Sequence, residues 1–506
     1  MEPRGLGDRL GGFVAVVVVL VSALVVNVSG NLVFPVSHKF NGREGASLSE
    51  LKAHDRHRHA RFLGATQNAV DMALGGSTDQ TGLYFTKLGI GNPSHDYYLQ
   101  VDTGSNLFWV SCAECGKGCP DRSELIGVKL TPYDRNSSST SKVVSCGDDF
   151  CTSPSVKHIS DCKPDEKCNY HLQYVGKDKT SGYYVKDDVQ FQKVSGNFQT
   201  SSTSGSVIFG CGTQQSGVMN DPRAAISGLI GFDRDNITML SQLAAAGKVR
   251  NKFAHCLDST KLGGGIWAIG EVVEPKMMHT SPMVPNQTRY NIVVEKIEVG
   301  SDAIELPTSG GGDLDETSGS SDPDQIIAFF DTGTTLAHLP PKLHEPIVKK
   351  ILATDPGLKF QKNDDGEYSC FEYSKNVDEK FPIVKFTFKN SASLWVYPHD
   401  YLFGNVKEGA WCHGWMKLTG EDGDLDIILG DMTLSNKLVV HDLENQVLGW
   451  ADHNCSSSIK VKDDESGSDY SVQYHHLAFS DASSPRLLMS FVLLVTAAAA
   501  LQMISI

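Results

Sequence analysis

The sequence predicts an all-β protein built as two related lobes, and two observations carry that prediction. From about Tyr84 to Asn454, short β-branched and aromatic runs alternate with Gly, Asn, Asp and Ser, among them Tyr97–Val101, Ser206–Phe209, Asn291–Val294 and Phe386–Phe388. Such runs with turn punctuation are strand signals. Helical periodicity is confined mainly to Met239–Ala246 and Lys342–Leu352. The second observation is an internal repeat. Val101-Asp102-Thr103-Gly104-Ser105 recurs as Phe330-Asp331-Thr332-Gly333-Thr334, and each copy is followed by an apolar-apolar-Gly element, Leu229-Ile230-Gly231 and then Ile428-Leu429-Gly430. Four matched elements in the same order imply a duplicated unit, hence two lobes.

Taken in order, the chain opens with arginines among few apolar residues. Phe13–Val28 follows, almost wholly Val, Leu and Ala, ahead of Ser29 and Gly30. That is the layout of a secretory signal peptide over residues 1–30, with an apolar stretch short for a spanning helix. Residues 31–75 are polar and basic, with His54-Asp-Arg-His-Arg-His-Ala-Arg61 among them and Gly75-Gly76-Ser77 at their end. A basic segment ahead of an acidic domain reads as a propeptide that covers a carboxylate-lined cleft and lets go as the acids protonate. The N-terminal lobe is expected over 76–280, with a cysteine-rich insertion at 112–168, and the C-terminal lobe over 281–455. Thr308–Asp324 and Ser456–Ser468 are low in complexity, and read as a surface loop and as the start of a polar stalk over 456–480. Leu487–Ile506 carries no charge and is about long enough to cross a bilayer. Behind Ser480-Asp481-Ala482-Ser483-Ser484 and a short spacer, it reads as a GPI-anchor signal over 481–506 that is removed on attachment at Ser480. The expected location is the outer face of the plasma membrane.

Twelve cysteines behind a signal peptide read as six disulfides. Seven of them, Cys112, Cys115, Cys119, Cys146, Cys151, Cys162 and Cys168, crowd one stretch. Full oxidation therefore sends at least one outside it, to Cys211, Cys256, Cys370, Cys412 or Cys455. The spacing Cys112-x2-Cys115-x3-Cys119 has no neighbouring histidine to complete a zinc set, so no metal is expected, and no cofactor. Asn136, Asn236, Asn286 and Asn454 head N-glycosylation sequons. A net charge of −15 argues against a nucleic-acid partner, which calls for clustered Lys and Arg.

The chemistry lies in the duplicated tetrads. An Asp followed by a small hydroxyl residue and Gly fits a tight turn at a strand end, with Gly taking backbone conformations a side chain forbids. Thr103 and Thr332 can bond across to the opposite loop, and Ser105 and Thr334 can donate to the outer carboxylate oxygens. Two carboxyls in contact cannot both ionise cheaply, so Asp102 and Asp331 are expected to share one proton. The ionised member would take a proton from a water that attacks a peptide carbonyl, while the protonated member hydrogen-bonds the carbonyl oxygen.

On these motifs the chain resembles the pepsin-like aspartic proteases, and within them the atypical, nepenthesin-like plant branch, which carries a cysteine-rich insertion after its first motif. The resemblance spans roughly residues 80–455. It implies a bilobal all-β fold, an active-site cleft between the lobes, and an endopeptidase with protein or peptide substrates, whose catalytic pair is Asp102 and Asp331. An acidic optimum is expected, since the pair in pepsin itself titrates at about 1.5 and about 4.7. The resemblance also implies a hairpin flap bearing Tyr174, partnered by Trp109, although Val175 and Lys177 stand where the family has glycines. A Cys370–Cys412 bridge and a monomer are further expectations. Two other readings compete. A non-catalytic relative acting as a binding or inhibitor protein would typically have lost a catalytic Asp, and both loops here are whole. A glycosidase would also use paired carboxylates, but leaves the duplication unexplained.

Overall fold

The computed structural model describes residues 67–477, apart from 79–80, 157–161, 175–177, 261–262, 308–324, 363–368, 406–409 and 419–425. The expected signal peptide, most of the leader, the loop at 308–324, Ser480 and the terminal apolar stretch lie outside the described residues. Among the described residues no helix is long and apolar enough to cross a membrane.

The N-terminal half contributes β1 (Val70–Ser77), β2 (Leu83–Ile90), β3 (His95–Asp102), β4 (Trp109–Ser111), β5 (Asn169–Gln173), the long hairpin β6 (Lys179–Gly196) and β7 (Gln199–Ser216), β8 (Gly228–Gly231), α1 (Met239–Ala245), β9 (Lys252–Leu257) and β10 (Gly265–Ile269). The C-terminal half contributes β11 (His279–Pro282), β12 (Ile292–Val299), β13 (Ile327–Phe330), β14 (Ala337–Leu339), α2 (Pro341–Leu352), β15 (Ile427–Leu429), β16 (Lys437–Asp442) and β17 (Val447–Asp452). A tail follows, with β18 (Ile459–Lys462) and β19 (Asp469–Val472). One sheet runs β11-β17-β16-β9-β10-β1-β2-β3-β8-β4-β7-β6, so strands of both halves share it. The two halves join where β9 pairs antiparallel with β16. The lobe boundary drawn at 280 therefore divides the sequence, but β16 and β17 return to the sheet begun by the first lobe.

Local sequence explains the strands that reach the site. In β3 the residues Tyr97, Leu99 and Val101 alternate into the core, which delivers Asp102 to the strand end. β13 is buried on both faces, Ile327 to Phe330, and ends against Asp331. Burying each such side chain contributes about 1.5–3 kcal/mol. The two expected helices form within a residue of their predicted bounds. Thr238 caps α1 by accepting a hydrogen bond from the Ser241 N–H at 3.2 Å, and α2 buries Leu343, Ile347 and Ile351 along one face.

Two boundaries read from composition differ from the structure. The leader was expected to run to residue 75, yet β1 begins at Val70 and sits inside the sheet between β10 and β2. Asn68 already donates its N–H to the Lys248 carbonyl at 2.9 Å. Removing residues up to 75 would strip two neighbouring strands of their partner and open their backbone groups. The stalk expected from Ser456 onward is instead folded. β18 pairs with β19 and with Val272–Glu274, and its residues alternate, Ile459 and Val461 inward and Lys460 and Lys462 outward. The tail then returns to β1, where His475 Nε2 lies 2.8 Å from Asp71 and the Leu477 N–H donates to the Leu74 carbonyl at 2.9 Å.

All twelve cysteines are bridged, as Cys112–Cys211, Cys115–Cys119, Cys146–Cys162, Cys151–Cys168, Cys256–Cys455 and Cys370–Cys412. Cys112–Cys211 is the bridge that leaves the crowded stretch.

Candidate active site

The site is built where β3 and β13 end face to face. In the first lobe β8 threads between β3, to which it is parallel, and β4, to which it is antiparallel. In the second, β15 threads in the same way between β13 and β14. The repeated apolar-apolar-Gly elements are these threading strands, and their glycines have a steric cause. A Cβ on Gly231 would stand 2.5 Å from the Ser105 carbonyl oxygen, and one on Gly430 would stand 2.6 Å from that of Leu336. No larger residue lets the strand pass beneath the aspartate loop.

The loops grip each other through their threonines. Thr103 Oγ1 donates to the Phe330 carbonyl at 2.8 Å and accepts the Thr332 N–H at 3.0 Å. Thr332 Oγ1 donates to the Val101 carbonyl at 2.9 Å and accepts the Thr103 N–H at 3.2 Å. Both side chains are fully buried. Asp102 Oδ1 accepts from the Gly104 N–H and Asp331 Oδ1 from the Gly333 N–H, each at 2.8 Å. The outer oxygens accept from hydroxyls, Asp102 Oδ2 from Ser105 and Asp331 Oδ2 from Thr334 at 2.7 Å. Gly104 lies so close to the opposite lobe that a Cβ there would meet Asp331 Oδ1 at 2.5 Å, and Gly333 has the same relation to Asp102. The two carboxyls are within a hydrogen bond of each other, and Asp102 is raised well above the usual carboxylate range, first by burial and then by the charge of Asp331. Two carboxyls so placed cannot both ionise cheaply.

Trp109 Nε1 donates to the Tyr174 hydroxyl at 2.8 Å, at the turn end of the β5–β6 hairpin, where the Tyr174 N–H also donates to the Asp178 carbonyl. Burial, and after it the charge of Asp102, pushes the Tyr174 phenol up. Val175 and Lys177 lie outside the described residues. Cys370 stands opposite Cys412 in neighbouring strands. Asn136, Asn236, Asn286 and Asn454 are exposed. Among the described residues the one grouping with metal-ligand types is Cys112, Glu114 and Cys211, and its two cysteines are bridged to each other.

One buried acid beside the site was not singled out from sequence. Asp431 directly follows Ile428-Leu429-Gly430 and is fully buried, with its N–H bonded to the Thr334 carbonyl at 2.8 Å and neither carboxyl oxygen partnered. Burial, then the charges of Asp331 and Asp102, raise it well above the carboxylate range. The signal available was its adjacency to the repeat element. The first lobe has Phe232 at the same step.

Comparison with known proteins gives a consistent family. Residues 84–271 match the family model of the xylanase inhibitor N-terminal domain, and residues 289–452 that of the C-terminal domain. The chain is 46% identical over 481 residues to aspartic proteinase 36 of Arabidopsis thaliana and 42% identical to aspartic proteinase 39 of the same plant, covering 94% of this chain and of each relative. Among solved structures, basic 7S globulin from soybean superposes with a TM-score of 0.57 at 18% identity, over 77% of this chain and 97% of that one. The structure of edgp gives 0.60 at 17%, over 77% and 95%. At these identities the solved structures speak for the fold.

Proposed function

The chain belongs to the pepsin-like aspartic proteases of plants, and from that premise we propose that it is an endopeptidase whose catalytic pair is Asp102 and Asp331. The observation that carries the reading is the reciprocal geometry of the two loops: threonines locked across the lobes, and a glycine N–H and a hydroxyl on each aspartate. In this reading the ionised carboxyl deprotonates a water, the water attacks the scissile carbonyl, and the protonated carboxyl hydrogen-bonds the developing oxyanion. The shared proton must be present and one acid ionised, which favours acidic pH. Tyr174, held by Trp109, covers the bound chain from the first lobe.

The same proposal extends to place. The apolar ends of the sequence support export and a GPI anchor on the outer face of the plasma membrane, and the four exposed sequon asparagines are open to glycosylation. A monomer acting on protein substrates fits a site completed within one chain. A binding or inhibitor role is the second reading, favoured by the match to xylanase inhibitor domain models. The intact pair of loops weighs against it.

The test is hydrolysis of a denatured protein between pH 3 and 7 by the mature chain, with and without pepstatin, beside Asp102→Asn and Asp331→Asn. Acid-dependent, pepstatin-sensitive cleavage that both variants lack is expected. A folded, mature protein that cleaves nothing would give the field to the binding reading. Release from cells by a phosphoinositide-cleaving phospholipase tests the anchor separately.

A further inference from the structure

We propose that the joint between the two lobes is an acid-sensitive seam, in which protonation of the facing, unpartnered imidazoles of His255 and His441 loosens the β9–β16 pairing and limits how acidic a medium the folded protein survives. The proposal goes beyond the catalytic reading, and its test reads unfolding, so neither depends on the other.

His441 on β16 stands directly opposite Phe253 on β9, with ring centroids 4.3 Å apart and planes within 4°. His255, two residues along on the same face, lies 5.4 Å from His441. Trp267 of β10 stacks on His255 at 5.4 Å, and Tyr290 meets His441 edge-on at 4.3 Å. Both imidazoles are fully buried, and none of their four nitrogens has a hydrogen-bond partner. From β10 the facing group is Trp267, from β17 it is Leu448, and from the segment before β12 it is Tyr290, whose phenol donates to the Phe232 carbonyl. The Tyr290 phenol is the titratable group among these. Among the described residues no carboxylate acts on either ring. Burial alone pushes His255 down to about 3, and burial followed by the nearby His255 holds His441 well below the usual range. An imidazolium formed here would meet aromatic faces and a second imidazole, with nothing to neutralise it.

The end of the same seam is also built of acid-labile parts. Lys252 pairs with Asp442 at 2.9 Å, and Arg250 Nε donates to Glu444 at 2.9 Å. Burial raises both carboxyls, but hydrogen bonds from Asn445 and Lys252 to Asp442, and from Arg250 to Glu444, outweigh it and leave both lowered. The Cys256–Cys455 bridge ties the two halves beside His255, so a loosened seam stays tethered.

The sign follows from proton counting. The folded imidazoles stay neutral while the unfolded chain takes up protons below about 6.5. Their stability is complete above that value and is lost as pH falls toward the folded values. Each histidine raises the unfolding equilibrium constant about tenfold per pH unit across that window, and the carboxylate pairs add to the loss below about pH 4.

Equilibrium unfolding of the mature chain in urea, from pH 4.5 to 7.5, compares wild type with His255→Leu/His441→Leu. Wild type is expected to take up about two more protons on unfolding near pH 5 than the double variant does. Equal slopes overturn the proposal. Should the double variant fail to fold, His255→Gln and His441→Gln are each expected to remove about one proton from the slope. In histidine-selective NMR of folded wild type, the imidazoles of His255 and His441 should stay neutral at pH 5, as should that of His413, which burial lowers to about 4, and titration of the His255 and His441 rings near 6.5 would overturn the seam.

Discussion

The two halves of the candidate active site share a backbone and differ in what surrounds it. Each aspartate ends a buried strand, accepts a glycine N–H and a hydroxyl, and sits above a threaded apolar-apolar-Gly strand. Behind the first loop stands Phe232, and behind the second stands Asp431. In the register of the threading strands, Leu229 pairs with Trp109 in one lobe and Ile428 with His338 in the other. The first lobe adds the Tyr174 hairpin and four internal disulfides, the second a single internal bridge. Duplication has kept the geometry that proton sharing needs. Divergence around it gives the two acids different surroundings, which the proposed acid and base roles require.

The largest expected effect tests the shared part. Asp102→Asn and Asp331→Asn should each lower kcat by roughly 10⁴-fold, the upper end of what a general acid or base supplies, with the fold retained by circular dichroism. A variant keeping a tenth of wild-type kcat would show that one lobe suffices, and the comparison would fail at its centre.

Next in size is the residue that breaks the symmetry. A carboxyl raised in the folded state favours the protonated form, so Asp431 costs stability as pH rises above about 4, where the unfolded chain ionises it. Asp431→Asn removes that cost. Relative to wild type, the variant should gain about 1.4 kcal/mol per pH unit, roughly 3 kcal/mol between pH 4 and 6, in urea unfolding. The pH-dependent difference is the readout, because the amide has its own unmet hydrogen bonds at any pH. A constant offset would mean that Asp431 is ionised in the folded protein. The histidine seam acts in the opposite direction over an overlapping window, and its two protons outweigh the one of Asp431 between about pH 4 and 6.5.

What was readable in the sequence, and what was not, follows from how far each feature reaches along the chain. The aspartate loops and the glycines beneath them are contiguous motifs, because turn geometry and strand threading impose local residue choices. The strands of both lobes were readable from β-branched and aromatic runs set between turn residues, which are local features too. Asp431, His255 and His441 owe their character to burial by segments far away in sequence, and an isolated Asp or His reads as ordinary surface. Composition misled at both ends of the domain. Gly75-Gly76 resembles a linker, but a Cβ on Gly75 would meet the Phe85 ring at 2.6 Å, and Gly76 takes φ +96. These glycines mark close packing. The Ser- and Asp-rich tail resembles a stalk, while Ile459 and Val461 pack inward with Val472 and the bridged Cys455. Sequencing of the mature N-terminus should accordingly find it upstream of Asn68, and a start at residue 76 would mean that β1 is dispensable.

A smaller effect tests whether the two threonines are equal. Thr103→Val leaves the Phe330 carbonyl and the Thr332 N–H unpaired, and Thr332→Val does the same to Val101 and Thr103. Each should cost about 1–3 kcal/mol, and equally. The double variant should cost less than the sum, since one contact between two loops is being removed twice. Strict additivity would mean that the loops are held apart by something other than each other.

The smallest effect concerns the part that the first lobe alone possesses. The Trp109–Tyr174 hydrogen bond ties the end of β5 to β4, and a net hydrogen bond of this kind contributes about 0.5–1.5 kcal/mol. Trp109→Phe and Tyr174→Phe should each lower kcat/KM roughly two- to tenfold, and the double variant should be little worse than either. His338→Gln, at the matching register of the other lobe, should leave that coupling unchanged. If the two first-lobe variants combine additively, the hairpin is positioned by its backbone alone, and the two lobes are more alike above the aspartates than their sequences suggest.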